Sequence, residues 1–249
     1  MDFLVFRLYG PMMSWGEIAV GGERRSARHP SRSAITGLVA AALGIKREDE
    51  SRQNDLQNSV GFGLKLLFAG DILKDYHTTQ VPKAESKVQY RTRRDELKAN
   101  PAAVSTILSS REYRTDSLCI VALWTQPVAV YSLSQIKAAL EKPVFHLYLG
   151  RKSCPIACPM QPQFLNDVTL RSALDSALFS PLKQYPVQSE PNCIDSQSVA
   201  AQYFWESSSH AGMDAKMETT RYDRVVSRTR WQFAPRPELM AFSDSREGD

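Results

Sequence analysis

From Asp2 to Tyr9 the chain alternates Leu4, Phe6 and Leu8 with Phe3, Val5 and Arg7, and Gly10 and Pro11 end the run. A period of two over that length specifies a strand, and whatever follows must fold back to cover it. The next periodic segment is helical: Ser31 or Ser33 can cap it, Ile35, Leu38, Val39, Ala42 and Leu43 share one face, and Gly44 supplies the stop. Glu48 to Asn58 is polar and reads as a solvated turn and short helix. Val60 to Phe68 and Asp71 to Gln80 read as a hairpin of strands turning at Gly70 and Asp71. Ser117 to Trp124 predicts a further strand, Ser134 to Glu141 a second helix with Ile136, Ala139 and Leu140 inward, and Val144 to Leu149 a last strand. Joined by hairpins and right-handed crossovers, this order predicts an α+β, ferredoxin-like (RRM-like) sandwich with its helices on one face of an antiparallel sheet.

Residues 1–158 are expected to form that domain, interrupted between Val81 and Asp116 by a polar, charged arm punctuated by Pro82 and Pro101. An arm of that length is either functional or disordered, and its basic composition favours function. Residues 159–249 are proline-rich, then rich in Ser and Gln around Ser189 to Ser209. They are expected to form a small, irregular, mostly β region with strands near Val199–Trp205 and Tyr222–Phe233 and a flexible tail after Phe242.

Composition narrows the class. Hydrophobic residues make up 43% of the 249, and mean hydropathy is −0.34. No stretch approaches the roughly 18 uninterrupted apolar residues of a membrane span, and Asp2 and Arg7 interrupt the first apolar run, so no signal peptide is expected and the chain should be cytoplasmic. Cys119, Cys154, Cys158 and Cys193 are too few and too irregular for a disulfide scaffold.

The net charge of +4 is unevenly placed. Glu23–Arg32, Lys83–Arg94 and Arg221–Arg236 together carry +11, which leaves −7 for the remainder. An acidic body with basic segments is the layout of phosphate-backbone binding, and arginine, with its planar fork, grips phosphate in two-pronged fashion and stacks on bases. The alternative for each run is a solvated surface face.

Signatures of cofactor enzymes are missing: there is no Walker loop, no G-x-G-x-x-G, no H-E-x-x-H and no G-x-S-x-G elbow. Cys154 and Cys158 have a spacing that can bite a metal, but zinc takes four ligands and no further Cys or His pair follows, so neither metal nor cofactor is expected. Of the histidines, His146 reads as a core residue on an alternating strand and His77 as a hydrogen-bonding or phosphate-binding residue. Convergence of Tyr76, His77, His146, Tyr148 and Lys152 would instead permit metal-free RNA cleavage by general acid and base.

Candidate binding residues fall in a few stretches. Trp15, after the turn at Gly10, stacks on a base or fills the core. Arg24, Arg25 and Arg28 belong to the first basic run. Ser31, Arg32 and Ser33 open the first helix, where free N–H groups favour an anion. His77, Thr78 and Thr79 end a strand, and Lys87, Arg91 and Arg93 lie on the arm. Tyr148, Gly150, Arg151, Lys152 and Ser153 form a turn in which glycine permits close backbone approach and the rest offer donors to phosphate.

Four blocks, Arg7–Gly16, Pro30–Leu38 running on to Ile45, Asp75–Thr78 and Tyr148–Pro155, with support from Val121–Trp124, occur in an order that resembles the CasD family of type I-E CRISPR Cascade subunits. Arg230–Ala234 is the one block beyond Cys158 that matches. The resemblance implies a fold of the repeat-associated RNA-binding superfamily with an inserted β-hairpin thumb, here the arm between Val81 and Asp116. It implies a non-catalytic subunit that holds the 5′ handle of crRNA and caps a filament of CasC subunits. Such a subunit abuts the large subunit CasA and meets target DNA only through the complex. A related branch cuts precursor RNA, which keeps a metal-independent endoribonuclease as the alternative.

Overall fold

The computed structural model describes residues 1–19, 21–82, 89–99, 104–182, 201–208 and 210–243. In chain order the elements are β1 (Phe3–Met13), β2 (Glu23–Arg24), α1 (Arg32–Ala42), α2 (Glu50–Ser59), β3 (Val60–Phe68), β4 (Asp71–Pro82), α3 (Arg93–Ala99), β5 (Val104–Thr125), α4 (Leu133–Glu141), β6 (Gln163–Leu165), α5 (Leu170–Ser176), β7 (Gln202–Trp205), β8 (Met217–Ser227) and β9 (Gln232–Phe242). None of the helices described is long and apolar enough to cross a membrane.

The fold is α+β, with one large sheet in the order β6-β1-β5-β3-β7-β9-β8, antiparallel along that path. Alternation in β1 sends Leu4, Phe6 and Leu8 toward α1 and α4, where they meet Ile35, Val39, Ile136 and Leu140. Phe3 and Val5 point the other way, onto Leu170 and Leu174 of α5 and onto Trp205. Each such side chain contributes about 1.5–3 kcal/mol by leaving water. Helices therefore cover both faces, not one, which is why β1 is apolar on both sides. Arg7, on the α5 side, is buried and donates from Nε to the Pro159 carbonyl at 3.1 Å.

Helix α1 starts and stops as its sequence predicts. Ser31 is the cap, its Oγ accepting from Ala34 N at 3.1 Å, and Gly44 takes a φ of +71° just beyond the end. A Ser132–Gln135 capping box opens α4.

Two further expectations need correction. Strand β4 does not pair with β3. It runs outward against the first half of β5, from Asp71↔Thr115 to Pro82↔Val104, while β3 takes the second half of β5, from Val60↔Thr125 to Phe68↔Leu118. The arm therefore begins at Asp71, ten residues earlier than expected, and α3 lies toward its far end. Pairing register between segments this far apart is set by the long partner strand, and no local turn signal encodes it.

Val144–Leu149 is not a strand. Val144 N and Phe145 N donate to the Ala42 and Ala41 carbonyls at 2.9 and 3.2 Å, satisfying the open end of α1, and β6 takes the edge beside β1. His146 is consequently exposed, not a core residue. Strands β6 and β7–β9 extend the same sheet at its two ends. Most of the Ser- and Gln-rich stretch and the tail lie outside the described residues.

The β8–β9 hairpin is held against α1 and α2 by buried polar contacts. Arg236 donates to Asp223 at 2.9 Å from both Nε and Nη2, and to Glu238 at 2.9 Å. Asp223 also accepts from Arg32 N at 2.8 Å, and Arg32 pairs with Glu206 at 3.0 Å. The Gln57 side chain donates to the Val225 carbonyl and accepts from Val225 N, at 2.8 and 2.9 Å. His29, stacked 3.9 Å from Phe204, lies between this network and α1. Burial first, then the Arg221 guanidinium, pushes its pKa from 6.5 down to about 3, so it stays neutral.

Between about 3 and 6.5 the unfolded chain binds a proton at His29 and the folded chain does not, so this residue's contribution to stability declines as pH falls through that window. Urea unfolding of the wild type should show its midpoint falling from pH 6.5 to pH 4.5, and His29→Gln should flatten that fall. Parallel profiles for the two proteins would refute the assignment.

A candidate nucleic-acid interface

A cleft of about 1420 Å³ opens between the loop after β1, one flank of α1, the 145–150 segment and the β8–β9 hairpin. Gly16, Arg24, Ser33, Tyr148, Gly150 and Trp231 are among the residues lining it. The loop after α4 reaches this cleft because its amides close α1 and because Leu149 then pairs with the end of β1, its carbonyl accepting from Ser14 N at 3.0 Å. Gly150 follows at a φ of +90°, and a Cβ there would stand 1.7 Å from the Ser14 carbonyl oxygen. Only glycine fits that crossing.

Beyond it, Arg151 lies over the ring of Tyr113 at 4.7 Å, its Nη1 3.4 Å from the Glu112 carbonyl and its Nη2 3.5 Å from the Arg24 carbonyl. Lys152 and Ser153 are exposed. The same place is the base of the arm. There β2 runs parallel to β5 with Arg24 opposite Arg111, and Ser110 N donates to the Gly22 carbonyl at 2.9 Å. Burial, then the charge of Arg28, holds the Arg114 guanidinium below the usual arginine range, with Glu112, Glu17 and Asp71 partly offsetting this. Arg24, Arg28, Arg111, Arg114 and Arg151 thus mark a basic junction between body and arm.

The other candidates are placed as follows. Arg25 is exposed and pairs with Glu23 at 3.2 Å, a surface contact worth about 0–1 kcal/mol. His77 is half-exposed on β4, its Nε2 2.7 Å from Asp75, and Thr78 and Thr79 are exposed opposite Leu108 and Ile107. Arg91 and Arg93 are exposed beyond them, Arg93 pairing with Glu96. Lys87 lies outside the described residues. His77 stands on the arm while His146 and Tyr148 line the cleft, so the residues considered for metal-free cleavage do not share one site.

Two candidates prove structural. Trp15 is 2% exposed and packed in the core between the sheet and α1, so it offers no stacking face. Arg32 is 6% exposed, paired with Glu206 and donating from Nη2 to the Gln57 and Val60 carbonyls at 2.8 and 2.9 Å. The anion expected at the start of α1 is the chain's own Asp223, and the Ser31 hydroxyl is engaged in capping. Sequence reasoning passed over Arg47, Arg111, Arg114, Arg228 and Trp231. Of these, Arg228 and Trp231 lay in the third basic run and in the Arg230–Ala234 block, but nothing local tied that segment to the cleft. Among the described residues no group of three or more His, Cys, Asp or Glu could hold a metal ion.

Comparison with known proteins identifies the family. The family described as CRISPR-associated protein (Cas_Cas5) matches residues 3–237, and the chain belongs to it. The chain is 37% identical over 167 residues to the CRISPR system Cascade subunit CasD of Escherichia coli (strain K12), across 64% of this chain and 69% of that protein. The resemblance read from the four sequence blocks is thereby borne out. Among solved structures, a chain of a CRISPR RNA-guided surveillance complex superposes with a TM-score of 0.66 at 24% identity, covering 97% of this chain and 90% of its own. A Cas protein superposes with a TM-score of 0.56 at 22% identity, covering 96% and 94%. These two likenesses show the fold.

Gly150→Ala should destabilise the protein by about 2–4 kcal/mol through strain and displacement of the 149–153 turn, read as a lower urea midpoint. An unchanged midpoint would mean that the turn does not need glycine.

Proposed function

We propose that this chain is a non-catalytic RNA-binding subunit of a type I-E Cascade surveillance complex that grips the 5′ handle of crRNA and caps the backbone filament in antiviral defence. The observation that carries this reading is the meeting of three distant stretches, the β2 loop, the 148–153 turn and the base of the arm, at one basic junction beside a cleft. Phosphates of the handle run past Arg24, Arg111, Arg114 and Arg151, and Lys152 and Ser153 add donors. Such contacts position a strand, while splayed bases supply the sequence preference. The arm, with His77, Thr78, Thr79, Arg91 and Arg93 along it, reaches to the junction of handle and guide. CasC subunits and CasA are its protein partners, target DNA is held indirectly through the complex, and the setting is the cytoplasm. The succession β1, α1, β3, β5, α4, β6, with the path β6-β1-β5-β3, supports reading residues 1–165 as a ferredoxin-like unit to which β7–β9 are added.

One observation favours a second reading. A histidine oriented by a carboxylate, as His77 is by Asp75 at 2.7 Å, is suited to acid and base work on a 2′-hydroxyl. Incubation of the purified chain with labelled CRISPR repeat RNA in EDTA separates the two: defined cuts that disappear in His77→Ala would make it an endoribonuclease, and intact RNA supports the binding role.

Reversing charge at Arg151 and Lys152 together should weaken repeat RNA binding about ten-fold and make log K less steep against log salt by about 0.7 for each phosphate the protein no longer neutralises. Unchanged affinity and unchanged assembly with Cascade subunits would sink the proposal. Arg32→Glu should instead fail at folding, because it leaves Glu206 facing a second buried carboxylate.

A further inference from the structure

The turn between β8 and β9 carries side chains that the basic junction does not use. Trp231 has a φ of +53°, uncommon for a bulky residue, and is 58% exposed. The turn that presents it is fixed. The Ser227 hydroxyl and Thr229 N donate to Glu50 at 2.5 and 3.1 Å, and Arg228 Nη2 donates to the Ser33 carbonyl at 3.0 Å. The Arg47 guanidinium lies 3.7 Å from the Trp231 ring centroid, and Phe233 lies 6.0 Å away at an interplanar angle of 25°. Arg47 and Arg228 act on each other as like charges: burial, then Arg47, lowers the pKa of Arg228. Neither has an ion pair with a carboxylate among the described residues. One guanidinium stacked over a face of an exposed indole and a second close by, neither paired with a carboxylate, suit a ligand with one anionic group and one flat ring that takes Arg47's place on the indole, which is a nucleotide.

We propose that Trp231, Arg47 and Arg228 form a nucleotide subsite, in which a base of single-stranded RNA stacks on Trp231 while its phosphate sits between the two guanidiniums. The subsite rests on the handle-binding reading, because Trp231 lines the same cleft as Tyr148 and Gly150 and the strand passing the arm base continues along that cleft. Base stacking on an aromatic platform tolerates any sequence, so this contact holds the strand without selecting it.

Intrinsic fluorescence isolates the residue, since of the four tryptophans Trp15, Trp124 and Trp205 are 2%, 3% and 1% exposed. The full chain is titrated with labelled single-stranded CRISPR repeat RNA, following anisotropy of the label and indole emission together. Emission should be quenched over the same concentrations at which anisotropy rises. Trp231→Ala should lose the quench and bind about ten-fold more weakly with an unchanged salt slope, whereas Trp231→Phe should keep most of the affinity. Arg47→Ala and Arg228→Ala should each reduce the salt slope. RNA binding with unperturbed emission and wild-type affinity in Trp231→Ala would overturn the subsite. If Arg151→Glu with Lys152→Glu still weakened binding in that case, the handle-binding reading would stand without it. A wild-type chain that binds no repeat RNA by either signal would overturn both.

Discussion

Asp223 is the residue on which the cleft depends. It lies inside the protein, accepts two hydrogen bonds from Arg236 and closes the N-terminus of α1 through Arg32 N. Burying ions costs several kcal/mol apiece, and such a group persists only where geometry and extra hydrogen bonds compensate. Here Arg236 bridges Asp223 and Glu238, Arg32 reaches Glu206, and neutral His29 packs on Phe204 beside Arg221. The return is specificity of position. The C-terminal hairpin is held in one register against α1, and its turn becomes a wall of the cleft. The same contacts occupy the dipole end of α1, so the start of that helix has no free anion site.

How far the fold was legible depends on whether the signal was local. Alternation in Phe3–Tyr9, the Ser31 cap, the Gly44 stop and the face of α4 are properties of short windows, and all appear where the sequence puts them. The partner of Asp71–Pro82 is not such a property. Gly70 and Asp71 look like a hairpin turn, yet the strand after them pairs with Val104–Thr115 because a longer strand was there to receive it. Val144–Leu149 has a strand's composition but serves to close a helix.

The site divides in the same way. The turn at Gly150 was legible as a turn, but the close approach its glycine permits is to the chain's own Ser14 carbonyl and not to a ligand. Arg32 was misread, and of the two readings of Trp15 the core one holds, because their burial depends on Glu206, Asp223 and the packing of α1 on the sheet, none readable from a short window. A basic run in one dimension mixes two kinds of arginine. In Arg221–Arg236, Arg236 is an interior ligand for carboxylates, while Arg228 stands at the cleft. Family membership is consistent with both kinds, since it rests on the whole span of residues 3–237.

Where β5 passes from the sheet into the arm, Asp116 adopts a φ of +51° and accepts from the Tyr9 hydroxyl at 3.0 Å. Directly across, Gly70 sits at +70° with no room for a Cβ beside the Thr115 carbonyl. Two left-handed residues side by side make the elbow a matter of backbone chirality. The direction in which the arm leaves the sheet is therefore set by the backbone of these two residues, and replacing either by a residue that disfavours the left-handed region would turn it.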